Sequence, residues 1–124
     1  MAWFAAGTPN KRSNLYPKEF KEIKMSEHPL ATLGRLDPEL MEHLDAANEL
    51  VYAAGVLPKK FKLLLAMAFD AAHGAQGGVR ALAAAAMREG ATKEEVAETL
   101  RVAYHLTGVG ALYTASRALK DVIP

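Results

Sequence analysis

The sequence predicts an all-α protein, a compact helical bundle of about six helices. Three observations predict it. Apolar residues recur at three- and four-residue spacing in segment after segment. Helix start and stop residues punctuate those segments at short intervals. No stretch alternates apolar and polar residues as a half-buried strand would.

Residues 1–16 contain Gly7, Pro9, Asn10, Ser13 and Asn14 and have no period. They read as an N-terminal arm, ahead of a single helical domain over 17–124. Trp3, Phe4, Leu15 and Tyr16 could dock the arm on a neighbour; a disordered arm is the equal alternative. A short helix is expected after Pro17, with Phe20 and Ile23 on its apolar side. His28-Pro29 limits it, because a residue before proline avoids the helical region.

The next helix has a clear start. Asp37 can cap free amides, Pro38 suits the first helical position, and Glu39 suits the positive end of the dipole. Leu40, Met41, Leu44, Ala47, Val51 and Ala54 come after it at helical spacing, and Gly55 ends the run. Leu57-Pro58 opens a third helix. Its residues Phe61, Leu63, Leu64, Leu65, Met67 and Phe69 leave almost no polar stripe, which predicts burial on all sides. This helix runs into Asp70-Ala71-Ala72-His73, and Gly77-Gly78 is expected to weaken or bend the segment after His73.

Val79, Leu82, Ala83, Ala86 and Met87 form one face of a fourth helix, which stops at Gly90. Thr92-Lys93-Glu94-Glu95 is a capping box, in which hydroxyl and carboxylate satisfy each other's free amides. Val96, Leu100, Ala103, Tyr104 and Thr107 continue that helix, and Gly108-Val109-Gly110 breaks it. A last helix puts Leu112, Ala115, Leu119 and Val122 on one side. The alanine clusters Ala71-Ala72 and Ala83–Ala86 permit close helix approach.

Composition narrows the function. At 124 residues the chain is about one domain, and its 51% apolar content is ample for a core. A net charge of +1 gives no field that would draw nucleic acid. The basic residues Lys11, Arg12, Lys18, Lys21 and Lys24 read as solvated. The absence of cysteine excludes disulfides, thiolate metal sites and thiol peroxidase chemistry. The longest unbroken apolar run, Leu63 to Phe69, is far short of the ~20 residues of a membrane span. The first residues lack the cationic start and length of a signal peptide. A soluble, cytoplasmic protein with neither nucleic-acid nor membrane partner is expected.

Three stretches together resemble the carboxymuconolactone decarboxylase family, which includes alkylhydroperoxidase D. They are Leu57-Pro58-Lys59-Lys60-Phe61-Lys62-Leu63-Leu64, then Gly90-Ala91-Thr92-Lys93-Glu94-Glu95-Val96-Ala97-Glu98-Thr99-Leu100, and Tyr104 through Thr114. The likeness spans roughly residues 36–120. It implies an all-helical fold and a homo-oligomer, a trimer or hexamer. The reactive residues of the peroxidase members do not carry over. Their Glu falls on Lys62, their Cys-x-x-Cys on Ala75 and Gly78, and their His on Leu82. The chain therefore resembles a divergent branch that cannot run the dithiol cycle. Decarboxylase members also lack the Cys pair but commonly keep the His, so its loss weighs against the usual lactone reaction too.

His73 and Asp70 are the candidate catalytic pair, with Lys62 as a third group. Asp70 lies one turn before His73 and could hold a ring nitrogen, fixing the tautomer so that His73 serves as general base. Lys62 shares that face but lies ~16 Å away at standard helical rise. It could meet His73 only through a substrate or a neighbouring subunit. The competing reading makes Asp70 a cap of the glycine-rich turn and His73 a hydrogen-bonded core residue. Gln76 could bind a substrate carbonyl or merely form the turn, and Tyr113 could line a cavity or simply pack.

His105 shares a helix face with Glu94, Glu98 and Arg101, which is either solvated or a subunit contact. Tyr104 reads as core with a wet hydroxyl. His28 and His43 read as structural or exposed. His73, Asp70 and His105 could together ligate a metal, but no H-x-x-x-H or H-E-x-x-H spacing supports it. Gly74, Gly77 and Gly78 precede a helix as an anion site would require, but no strand or phosphate-loop pattern accompanies them. No cofactor is implied. Two function classes remain: an acid–base enzyme of the lyase or decarboxylase type acting on a small organic acid or lactone, or a non-catalytic oligomeric binding protein or scaffold.

Overall fold

The computed structural model describes residues 30–124. The arm over 1–16, the helix after Pro17 and His28 lie outside the described residues. Six α-helices are described: α1 (Ala31–Leu36), α2 (Pro38–Tyr52), α3 (Lys59–Ala72), α4 (Gln76–Arg88), α5 (Lys93–Thr107) and α6 (Gly110–Leu119). No strand occurs among the described residues, and the all-α expectation holds. The chain divides after Ala53 into two units.

In the first unit α1 packs against α2. No sequence pattern predicts α1, a helix of only six residues. Asp37 ends it and starts α2, where its Oδ1 accepts from the Leu40 amide at 2.9 Å. Pro38 occupies the first helical position as expected. Met41 is buried, while Leu40 and Val51 are exposed.

The second unit is built on α3, which packs against α4, α5 and α6. Leu63, Leu64, Met67 and Ala71 form its buried face. Burying Leu63 and Met67 contributes about 1.5–3 kcal/mol each. The rest of the interior is lined largely by alanine: Ala81, Ala83, Ala85 and Ala86 of α4, Ala103 of α5, and Ala111, Ala115 and Ala118 of α6. Val79 and Val96 are the other fully buried aliphatic side chains.

Among the described residues, helix α3 is not enclosed on all sides. Phe61, Leu65 and Phe69 are 45%, 52% and 65% exposed. Their four-residue spacing puts them in one row along the helix. Composition alone hides this second face, because both faces of α3 are apolar.

Helices α3 and α4 end in the same way. Gly74 follows α3 with φ +77°, and Gly90 follows α4 with φ +98°. The Ala75 amide donates to the Asp70 carbonyl at 2.8 Å, and the Ala91 amide donates to the Ala86 carbonyl at 2.9 Å. Both are Schellman closures, which need a left-handed residue that glycine adopts without strain. Gly77 and Gly78 do not break α4; they lie in its first turn.

The capping box at α5 is half formed. Thr92 Oγ1 accepts from the Glu95 amide at 3.1 Å. The Glu95 carboxylate turns instead to Lys60 of α3 at 3.0 Å. A nearby ammonium attracts the carboxylate more strongly than a neutral amide does. Lys60 also lies 5.4 Å from the centre of the Phe61 ring. Val122 lies beyond α6, which closes at Leu119.

Candidate active site

The turn from α3 to α4 brings three candidate residues together. Asp70 is in the last turn of α3, His73 is its C-cap, and Gln76 begins α4. Lys62 is not among them. It stands near the other end of α3, with its Nζ close to Gly55. His105 is on α5 and Tyr113 on α6, both exposed. No hydrogen bond or ion pair joins either to His73 among the described residues.

His73 is exposed, and its ring is held by the main chain. Its Nδ1 lies 2.8 Å from the Phe69 carbonyl oxygen. A carbonyl only accepts, so Nδ1 carries the hydrogen and the neutral ring keeps its lone pair on Nε2. The same carbonyl accepts the His73 backbone amide at 3.0 Å. The expected clasp by Asp70 is therefore replaced by a helix C-terminal carbonyl one turn back. A carbonyl oxygen has two lone pairs, so the one that already accepts the amide can accept the ring N–H as well. His73 is thus neither a core residue nor held by the carboxylate.

Asp70 has a different environment. A Cβ built on Gly78 would overlap its Oδ2 and come within 2.8 Å of its Cγ. The carboxylate fills the volume that any side chain at position 78 would need. Burial raises the Asp70 pKa above the ordinary aspartate range, and the nearby charge of His73 opposes that rise. The two residues interact through charge without a direct hydrogen bond. In sequence, Gly78 reads as a helix weakener, a weak anion-site glycine and a lost cysteine position, and none of these signals a contact with Asp70. Its eight-residue spacing from Asp70 spans a reversal of the chain, so no periodic pattern signals the contact.

Among the described residues, no three His, Cys, Asp or Glu side chains gather as a metal site would require. His73, Asp70 and His105 do not form one. His105, Glu94, Glu98 and Arg101 are not drawn into a buried cluster; His105, Glu94 and Arg101 are exposed. Tyr104, expected in the core, is 48% exposed, and Tyr113 is 62% exposed. Among the described residues no helix is long and apolar enough to cross a membrane. A family model described as the carboxymuconolactone decarboxylase family matches residues 38–121, more than half of the chain. No curated protein and no solved structure gives a significant match.

Proposed function

Since this chain belongs to the carboxymuconolactone decarboxylase family, we propose that it is an acid–base enzyme of the lyase type, acting on a small organic acid or lactone through His73. One observation carries the reading. The ring is fixed at Nδ1 by the Phe69 carbonyl at 2.8 Å and leaves Nε2 open at the surface. A ring held in one tautomer delivers its free nitrogen at a fixed position, which general base and acid catalysis needs. Loss of CO2 from a carboxylate conjugated to a lactone carbonyl leaves its bonding pair in the conjugated system. A carbon of that system must then take a proton. His73 is the group that delivers that proton to carbon, and solvent then restores the proton to His73.

Both His73 and the neighbouring Phe69 are exposed in the single chain. The reading therefore includes a second copy, covering the row Phe61, Leu65 and Phe69 and enclosing the imidazole. Turnover of carboxymuconolactone by wild type and by His73→Ala tests it. Loss of roughly 10²-fold or more in rate is expected, the usual range for a positioned proton-transfer group. Equal rates, or no turnover by wild type, would sink the reading.

The same exposed row favours a second reading, a homo-oligomer without catalysis. Lys62, Ala75, Gly78 and Leu82 stand where peroxidase relatives have reactive groups, and the sequence has no cysteine for a dithiol cycle. On that reading His73→Ala changes neither assembly nor any turnover.

A further inference from the structure

The exposed row along α3 reads the same in both directions. Phe61 and Phe69 stand four residues either side of Leu65, and all three are exposed. A face that pairs with its own copy across a two-fold axis needs this property, because positions equally far from the centre must fit each other. The charges on α3 are unevenly placed. Its first turn carries Lys59, Lys60 and Lys62, and its last turn holds Asp70 and no basic residue. Two parallel copies would set lysines beside lysines. Antiparallel copies set each cationic end beside the carbonyl end of the other helix, where the dipole favours positive charge.

We propose that α3 pairs antiparallel with α3 of a second copy about Leu65, and that the partner's Lys62 thereby joins His73 in binding the anionic group of a substrate. The proposal rests on the acid–base reading of His73 and adds to it a residue from the other chain.

The register follows from the row. With Leu65 on the axis, Phe61 meets the partner's Phe69, and the partner's Lys62 lies opposite position 68. His73 is five residues further on, ~7.5 Å at standard helical rise, against ~16 Å from Lys62 of its own chain. The flank agrees as well. At about 100° per residue, Lys62 lies about 60° around the helix from Leu65 and His73 about 80°, in the same sense. A two-fold axis perpendicular to both helices keeps that flank on one side of the pair. The ammonium and the open Nε2 therefore border one gap, on the scale of a small carboxylate. The partner's Leu57 falls opposite His73 in this register; Leu57 is exposed in the single chain and would cover the ring. An ammonium has three N–H donors, so Lys62 can keep a contact in its own chain and still take a substrate oxygen.

Two measurements test the proposal. The sequence has no cysteine, so an introduced thiol is the only one in its chain. Under mild oxidation Leu65→Cys should link to its own copy. Phe61→Cys and Phe69→Cys should each stay single alone and link when mixed. A Leu65→Cys protein that stays single, or Phe61→Cys linking to itself, overturns the antiparallel contact. The second measurement is carboxymuconolactone turnover. Lys62→Gln should raise KM roughly 10-fold or more, the worth of a hydrogen bond to a charged group, with little change in kcat. Mixed assembly with excess His73→Ala chains should restore the wild-type KM, because one site then joins an intact His73 to an intact Lys62 of the partner subunit. Wild-type KM in Lys62→Gln, or no restoration on mixing, overturns the Lys62 assignment and leaves the His73 reading intact. An inactive wild type, or indifference to His73→Ala, sinks the His73 reading and the role of Lys62 with it, while the cross-links still decide the contact.

Discussion

The carboxylate of Asp70 lies in the volume that a side chain on Gly78 would occupy. Two residues on consecutive helices thus share one space, and only one of them can have a side chain there. Gly78→Ala should therefore destabilise the protein by about 1–3 kcal/mol, the usual cost of overpacking. Asp70→Ala in the same chain should recover part of that loss. Urea unfolding of the two single variants and the double variant gives the coupling energy, and strict additivity would contradict the shared volume.

Asp70 also sets a pH dependence with a definite sign. Its folded pKa is raised by burial, so between the unfolded and folded values the native state binds the extra proton. Stability then falls as pH rises through that window and is level above it. Asp70→Asn has no proton to bind. The stability difference, wild type minus Asp70→Asn, should decrease from acid pH upward and flatten once Asp70 is ionised. A difference that grows with pH would mean the opposite shift.

Lys60 and Lys59 both pair with acids, but in unequal surroundings. Lys60 meets Glu95 at 3.0 Å, and the second carboxylate oxygen of Glu95 is buried without a partner. Lys59 meets Glu89 at 3.6 Å with Glu89 more exposed. Lys60→Met should cost about 1–2 kcal/mol by leaving Glu95 under-paired, and Lys59→Met at most about 0.5 kcal/mol. Thermal or urea unfolding of both variants checks the order.

Two glycines should respond oppositely to alanine. Gly90 has φ +98°, and alanine there should cost about 1–2 kcal/mol. Gly77 is in a helical turn with open space around it. Alanine there should stabilise by roughly 0.5–1 kcal/mol, because the unfolded chain loses freedom and no strain is added. Denaturant midpoints of the two variants should move in opposite directions.

Much of this architecture is legible in the chain because it rests on local rules. Asp37-Pro38, Gly90 and Thr92 each mark a helix boundary by their own backbone or capping chemistry, and each is where those rules put it. The exposed face of α3 is hidden because Phe61, Leu65 and Phe69 are as apolar as the residues that face the core. The partner of His73 escapes for another reason. Sequence patterns pair side chains with side chains, and the Phe69 carbonyl leaves no letter in a sequence. The Asp70–Gly78 contact depends on how α4 folds back on α3, which no single-helix periodicity records. Lys62 is distant from His73, as eleven residues of helix require.

The row of Phe61, Leu65 and Phe69 gives a prediction for assembly. Leu65→Glu puts a charge at its centre, where burial against another chain would cost several kcal/mol unless it is paired. Sedimentation velocity should find wild type heavier than a single chain and Leu65→Glu reduced to one. Identical sedimentation of the two proteins would remove this row from the contact.

The hydrogen bond from His73 to Phe69 ends on peptide oxygen. Exchange of the residue at position 69 for another leaves that oxygen behind. The orientation of the imidazole is thus insulated from drift in the side chain at position 69. Aromatic, aliphatic or polar groups can come and go there, reshaping whatever lies over the ring, while its proton stays on the same nitrogen.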